Sequence, residues 1–276
     1  MRAKSTQAAA EIEDWVTIYS TWADLQKPEA VILDRMKRQL PAMRMLDIGI
    51  GGGRTTLHFA GAAREYVGID FDRKMIDACE RRFADRSHGV SFLVCDARSM
   101  RIFDDSSFDF ILFSFNGIDY LSHEDRLQAL REVRRVGKNG QYFVFSSHNL
   151  NAVARLIVSP RRLLSRLVRR RLSLGRLWRH AILRVRNEPA RRLRSQQHAF
   201  IYDGVYSHKL SWLLYSLWKG LGRFYYIKPE AQLRQLREAG YEVADVYSEE
   251  GETLTEHQLI SNTDYWLYYR CRIVKP

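Results

Sequence analysis

Between Met45 and Arg54 the chain reads MLDIGIGGGR, an apolar run that ends at an aspartate and breaks into four glycines within five residues. Glycine gives up more backbone freedom on folding than any other residue, so such a cluster survives only where the backbone must turn sharply or lie bare against another group. Its flanks say which kind of turn it is. Met43 to Gly49 is a short apolar run stopped by glycine, and Thr55 to Arg64 is alanine-rich and helix-compatible, giving strand, turn, helix.

The pattern recurs. Tyr66–Asp70 (YVGID) reads as a strand, and Arg73–Arg86 carries Met75, Ile76, Cys79 and Phe83 at helical spacing. Val90–Cys95 and Phe108–Phe113 are strand-like, His123–Val136 is a helix with Leu127, Leu130, Val133 and Val136 on one face, and Gly137 is its expected stop. Gln141–Phe145 reads as a fifth strand, and Glu29–Leu40 as a helix before the first. Near the end, Pro229–Gly240 has the pattern of a helix, and Tyr241–Tyr247 and Tyr265–Ile273 those of two strands. Strands alternating with helices require crossover connections and so a parallel sheet covered on both faces, with ligands outside the carboxyl ends of the strands. The glycines lie at such an end.

Three ligand classes use a glycine turn of this kind. A phosphate loop needs GxxxxGK[ST], and no lysine follows these glycines. A dinucleotide fingerprint needs GxGxxG, and counting from Gly49 puts Arg54 where the third glycine belongs, which weakens that reading without excluding it. The third class fits Asp47-x-Gly49-x-Gly51-x-Gly53, with Asp70 ending the second strand and Asp96 following the third. These residues resemble the class I S-adenosylmethionine-dependent methyltransferases, whose first motif is D/E-x-G-x-G-x-G; the resemblance covers about residues 30–150 and 225–276.

The resemblance implies an α/β, Rossmann-like class I methyltransferase fold, a mostly parallel seven-stranded sheet with a basic, mainly helical insertion between strand 5 and the last helix. It implies S-adenosyl-L-methionine as cofactor. Gly49, Gly51 and Gly53 would let the turn approach the amino-acid and ribose parts, and Asp47 would fix the loop and its contacts to the ammonium end. Asp70 would accept hydrogen bonds from the ribose hydroxyls, because a carboxylate is acceptor-only with two oxygens. Phe71 would lie near the adenine, Asp96 would accept its amino proton, the Ala97 amide would donate to a ring nitrogen, and Phe115 would close the pocket. Residues 1–28 would form a lid segment in which Tyr19 is a candidate contact, residues 29–150 and 229–276 the core, and residues 151–228 the insertion.

The acceptor is narrowed by absences in the sequence. FSFNGIDY after the fourth strand lacks the [DNS]PP[YF] motif common in amino-group methylation of bases, and no Pro-Cys pair marks a cysteine nucleophile. An oxygen acceptor or a small-molecule nitrogen remains. His148, in FSSHNLN near the carboxyl end of the fifth strand, is the leading general base, since an unperturbed imidazole titrates at ~6.5. Asp119 would orient it or the substrate; Asn116 and Tyr120 are further candidates, and His123 reads as a helix N-terminal residue.

The net charge of +12 is concentrated in one place. Residues 151–228 hold 18 Lys/Arg against Glu188 and Asp203, and the remainder of the chain is mildly acidic. There Leu163, Leu164, Leu167 and Val168 alternate with Arg162, Arg166, Arg169 and Arg170 at helical spacing, and Ser211–Tyr226 is aromatic and apolar. Such stripes suit an anionic membrane surface or a phosphate-bearing, lipid-linked or glycan-linked acceptor. A solvated cap is the plain alternative, and RNA, gripped by arginines and stacked on Trp178, Trp212 and Trp218, is the third. A cofactor-binding module without catalysis remains a different-class reading. Cys79, Cys95 and Cys271 are too far apart for a zinc site or disulfide framework, so no metal is expected. No run approaches the ~18 uncharged residues of a membrane span, and the expectation is a cytoplasmic protein, peripheral at most at the inner face of a membrane.

Overall fold

The computed structural model describes residue 19 and residues 21–85, 89–152 and 225–276. The arginine stripes and most of the N-terminal aromatic segment therefore lie outside the described residues.

Helix α1 (Lys27–Met36) carries Pro28 in its first turn, where a missing N–H costs nothing, and the Glu29 carboxylate accepts the Gln26 N–H at 2.7 Å. Strand β1 (Arg44–Ile48) leads through the glycines into α2 (Thr56–Phe59). Then follow β2 (Glu65–Asp70), α3 (Arg73–Arg82), β3 (Val90–Val94), β4 (Phe108–Phe113), a 3₁₀ turn (Gly117–Tyr120), α4 (His123–Val136) and β5 (Gly137–Asn149). From residue 225 onward come β6 (Tyr226–Ile227), α5 (Pro229–Glu238), β7 (Tyr241–Tyr247), α6 (Glu256–Ser261) and β8 (Trp266–Ile273).

The main path of the sheet is β3-β2-β1-β4-β5-β8-β7, the seven-stranded Rossmann-like order expected, with β8 antiparallel to both neighbours and the rest parallel. An eighth, two-residue strand, β6, adds to β5 in parallel at His148↔Tyr226 and Asn149↔Ile227. Tyr226 and Ile227, read from sequence as the end of the insertion, thus belong to the core sheet. Both faces are covered: Leu46, Ile48, Ile69, Leu130, Val133 and Phe143 pack in one layer, and Ile32, Met36, Met45, Tyr66, Phe110 and Leu112 in the other. Burial of each such side chain is worth about 1.5–3 kcal/mol. This is why the central strands read as unbroken apolar runs.

Three local expectations change. The helix expected over Thr55–Arg64 is a single turn, because the Arg64 N–H is taken by the carbonyls of Leu40 and Met43 at the entry to β2. Helix α6 has too few residues to display an apolar period, although Thr255 and Gln258 form a capping box. Gly137 does end α4, but not through a left-handed cap: its φ is −78° and the chain passes directly into β5. What requires glycine there is space, since a Cβ would stand 2.2 Å from Ile273 Cδ1 and 3.1 Å from both Ile111 Cδ1 and the Val133 carbonyl.

Gly137→Ala should therefore lower the unfolding free energy by about 1–3 kcal/mol, the usual cost of overpacking a filled core. Urea midpoints of the two proteins measure this, and an unchanged or raised midpoint would mean that Ile273 moves aside freely.

Candidate functional site

The loops after β1, β2, β4 and β5 meet at the carboxyl edge of the sheet. β1 pairs with β2 on one side and β4 on the other, so the crossovers diverge there and leave a crevice. Gly49, Gly51 and Gly53 have φ of +68°, +52° and +81°, backbone that side chains resist. At Gly53 packing adds a second demand, because a Cβ would lie 2.4 Å from the Phe83 ring. The Gly51 N–H donates to Asp70 Oδ2 and the Asp72 N–H to Oδ1, both at 3.0 Å, so the carboxylate ending β2 is aimed at the turn. Burial raises the Asp70 pKa. Each oxygen has a second acceptor site for an incoming hydroxyl.

Asp47 lies beneath the turn rather than in the crevice. It is buried, and Oδ2 accepts from Thr55 Oγ1 at 2.5 Å and from Tyr66 OH at 2.7 Å, so it fixes the far end of the loop. Phe71 is 79% exposed just beyond Asp70 and presents an open apolar face. Asp96 is held by Arg98: Oδ1 accepts the backbone N–H at 2.8 Å, Oδ2 accepts Nη2 at 2.6 Å, and Nε lies 3.0 Å from both oxygens. That pairing keeps the Asp96 carboxyl below the ordinary range. Ala97 packs half-buried on the core beside it.

An aromatic wall connects this half of the crevice to the other. Tyr19 crosses Gly51, its Cβ and Cγ 3.9 Å from where a glycine Cβ would be. Ring centroids then follow at 5.3 Å (Tyr19–Trp22), 5.5 Å (Trp22–Phe115) and 6.3 Å (Phe115–Trp266). Electron-rich ring faces favour a positive sulfonium. The backbone of residues 22–24 is held to the glycine turn region by Arg82, His58 and Arg54, which bond the carbonyls of Trp22, Ala23 and Asp24. Arg54 also stacks over Phe115 at 5.3 Å and forms a buried pair with Glu29, which Ser114 and Tyr268 also contact.

At the far end of the wall stand Asp119 and His148. Asp119 is buried; Oδ2 accepts the His148 backbone N–H at 2.6 Å and lies 2.8 Å from Nδ1. A carboxylate cannot donate, so this contact fixes the proton on Nδ1 and leaves Nε2 as the basic nitrogen of the neutral ring. Asn116 Nδ2 lies 3.5 Å from that Nε2. Phe115 and Asn116 have φ of 51° and 58°, consecutive left-handed residues without glycine, a strain that persists only where the surroundings impose it. Here the Asn116 N–H bonds Ser146 Oγ at 2.7 Å. Tyr120 is mostly exposed and interacts with Tyr19, while His123 begins α4 and meets Tyr225 OH at 2.9 Å.

Sequence reasoning missed Arg126. It sits one residue before the apolar stripe of α4 and is nonetheless fully buried, giving Asp119 Oδ1 a 2.5 Å ion pair while bonding Ser147, Gln232 and Gln235. Nothing in the helical spacing signals a buried arginine, because charge there ordinarily marks a solvent face. Tyr226 and Trp266, which flank His148 in register, were also read only as strand or insertion residues.

Among the described residues there is no cluster able to hold a metal ion, and no helix is long and apolar enough to cross a membrane. Residues 45–140 match the model of a methyltransferase domain. The chain is 33% identical over 108 residues to YcgJ, an uncharacterized methyltransferase of Bacillus subtilis, across 38% of this chain and 40% of that protein. It is likewise 33% identical over 101 residues to a demethylmenaquinone methyltransferase of Renibacterium salmoninarum, across 37% and 39%. The aligned part thus spans about two fifths of these curated relatives. An S-adenosylmethionine-dependent methyltransferase from Clostridium acetobutylicum shares the fold, with a TM-score of 0.57 at 12% identity over 98% of this chain and all of the other.

Burial raises the Asp47 pKa from the ordinary carboxylate range to about 7, against the lowering effect of Thr55 and Tyr66. The sign follows: between about pH 4, where the unfolded chain gives up this proton, and about 7, where the folded one does, the folded state holds the extra proton. Stability from this group is therefore lost as pH rises through that window. Asp47→Asn keeps an oxygen for Thr55 and Tyr66, and its stability relative to the parent should improve from pH 5 to pH 8. Denaturant midpoints at the two values test this, and parallel curves would refute it.

Proposed function

We propose that this class I S-adenosylmethionine-dependent methyltransferase places its methyl group on oxygen of a small-molecule, glycan or lipid-linked acceptor, with His148 as general base. The observation that carries this reading is the Asp119–His148 contact, 2.8 Å at Nδ1, at the end of a strand in the same crevice as the glycine turn. S-adenosylmethionine supplies a methyl group from a sulfonium and departs as a neutral thioether. The chain's part is to align an oxygen with that carbon and to take the oxygen's proton on Nε2 as the new carbon–oxygen bond forms. The glycine turn and Asp70 would hold the cofactor's amino-acid and ribose parts, Phe71, Asp96 and Ala97 its adenine, and Tyr19 and Phe115 would shield the reacting end. Asp47 would keep the turn in shape from below. Asp119 is a positioning residue that fixes the tautomer, and Arg126 balances its charge.

The basic insertion supports an acceptor carrying phosphate or sitting at an anionic surface, since it holds 18 Lys/Arg against two acids and leaves the core directly after His148. The same charge favours RNA as the second reading. The protein would then work in the cytoplasm, peripherally at the inner face of a membrane if its acceptor is lipid-linked.

Methyl-labelled cofactor incubated with the protein and a cell extract, followed by separation into lipid, polar small-molecule, nucleic-acid and protein fractions, decides between these acceptors. Label in lipid or small molecules supports the proposal, and label in nucleic acid replaces it with the second reading. With the labelled acceptor in hand, His148→Gln should reduce kcat about 10²-fold or more while cofactor affinity changes less than about twofold. Equal losses in both would remove His148 as the base.

A further inference from the structure

Three buried side-chain atoms have no hydrogen-bond partner among the described residues: Asn116 Oδ1, Tyr226 OH and Trp266 Nε1. Buried polar atoms are satisfied in the large majority of cases, so each orphan calls for a reason. All three surround His148. Tyr226 on β6 and Trp266 on β8 are its cross-strand partners on either side, so the three side chains rise from one face of the sheet. The Tyr226 ring lies 5.0 Å from the imidazole, Phe115 lies 6.3 Å from Trp266, and the Asn116 amide reaches His148 Nε2 through its nitrogen while its oxygen is unpaired. Asn116 and Tyr226 are more than nine-tenths buried. The orphans comprise an acceptor, an indole donor and a hydroxyl that can do either. Burial also raises the Tyr226 pKa, so that hydroxyl stays protonated.

We propose that Asn116, Tyr226 and Trp266 form the acceptor-binding cradle around His148 and that it takes a hydroxylated aromatic ring, with the phenolic hydroxyl presented to Nε2. This rests on the reading of His148 as base and narrows its acceptor class. Two arguments select a phenol over a sugar. The walls are the flat rings of Tyr226, Trp266 and Phe115, suited to stacking on another planar ring, and among the described residues they and Asn116 offer three unpaired polar atoms, too few to satisfy a polyol. A phenol ionises near pH ~10 and an aliphatic hydroxyl near water's ~15.7, so an imidazole removes the phenolic proton against a far smaller gradient. The cradle also explains why β6 exists: two residues of strand suffice to return the chain from the insertion with Tyr226 beside the base.

The test uses the full-length protein saturated with S-adenosylhomocysteine, whose own affinity is measured first by calorimetry. Catechol and methyl β-glucoside are then titrated separately by saturation-transfer NMR against the parent, Tyr226→Phe and Trp266→Phe. Catechol should bind the parent, and each variant should weaken it about tenfold while leaving S-adenosylhomocysteine affinity unchanged. Because an orphan hydroxyl contributes nothing to folding, Tyr226→Phe should melt at or above the parent temperature. Preference for the glucoside, no catechol binding by cofactor-loaded protein, or a lowered melting temperature in Tyr226→Phe would each overturn the cradle. Failure of His148→Gln to slow methyl transfer, with the Tyr226 and Trp266 effects intact, would instead remove the base and keep the cradle.

Discussion

One carboxylate organises the half of this molecule around His148. Asp119 stands in the 3₁₀ turn after β4, and its two oxygens receive Arg126 from α4, Ser147 from β5, and both the backbone and ring nitrogens of His148. Its own carbonyl accepts the Tyr225 N–H at 2.8 Å, which ties the segment leading into β6 to the 3₁₀ turn. Arg126 passes the connection on to Gln232 and Gln235 of α5. A buried ion pair contributes little net stability, yet removing one partner costs about 3–5 kcal/mol because a charge is left alone. Helix α4, the end of β5 and helix α5 are thereby tied to one position of the imidazole.

The half around the glycine turn is built differently, from backbone and packing. The positive φ values at Gly49, Gly51 and Gly53 give the turn its path, Asp70 holds it from β2 through the Gly51 N–H, and Asp47 holds it from below through Thr55. The Glu29–Arg54 pair reaches across to α1, and Arg54 lies over Phe115 at the junction of the halves. The relative position of the glycine turn and the Asp119–His148 pair is thus set by buried polar links rather than by loop contacts alone. The proposed in-line transfer would depend on such alignment, since a displacement of about 1 Å can cost 10²-fold in rate.

Much of this arrangement was legible in the chain. The glycine spacing, the acids after successive strands, the apolar runs and the His123–Val136 period are local statements, and local periodicity suffices to define strands, helices and the order in which they alternate. The roles of Gly137 and Gly53 were not legible in full, because what forbids a Cβ there is contact with Ile273 and Phe83, residues distant in sequence. The partnership of Asp96 with Arg98 was open to view only two residues away, but its geometry depends on how the loop folds.

By itself the sequence determined the strand–helix alternation, the glycine turn with its carboxylates, and the concentration of positive charge in residues 151–228. Each follows from residue type and spacing along the chain. Tertiary structure alone decided that Asp119 and His148 meet at 2.8 Å, that Arg126 is buried behind them, and that Tyr226 and Trp266 flank the imidazole. Those residues are separated by up to 147 positions and carry no shared period. They are brought together by strand register, which is set by the sum of contacts across the sheet and is written in no single stretch of the chain.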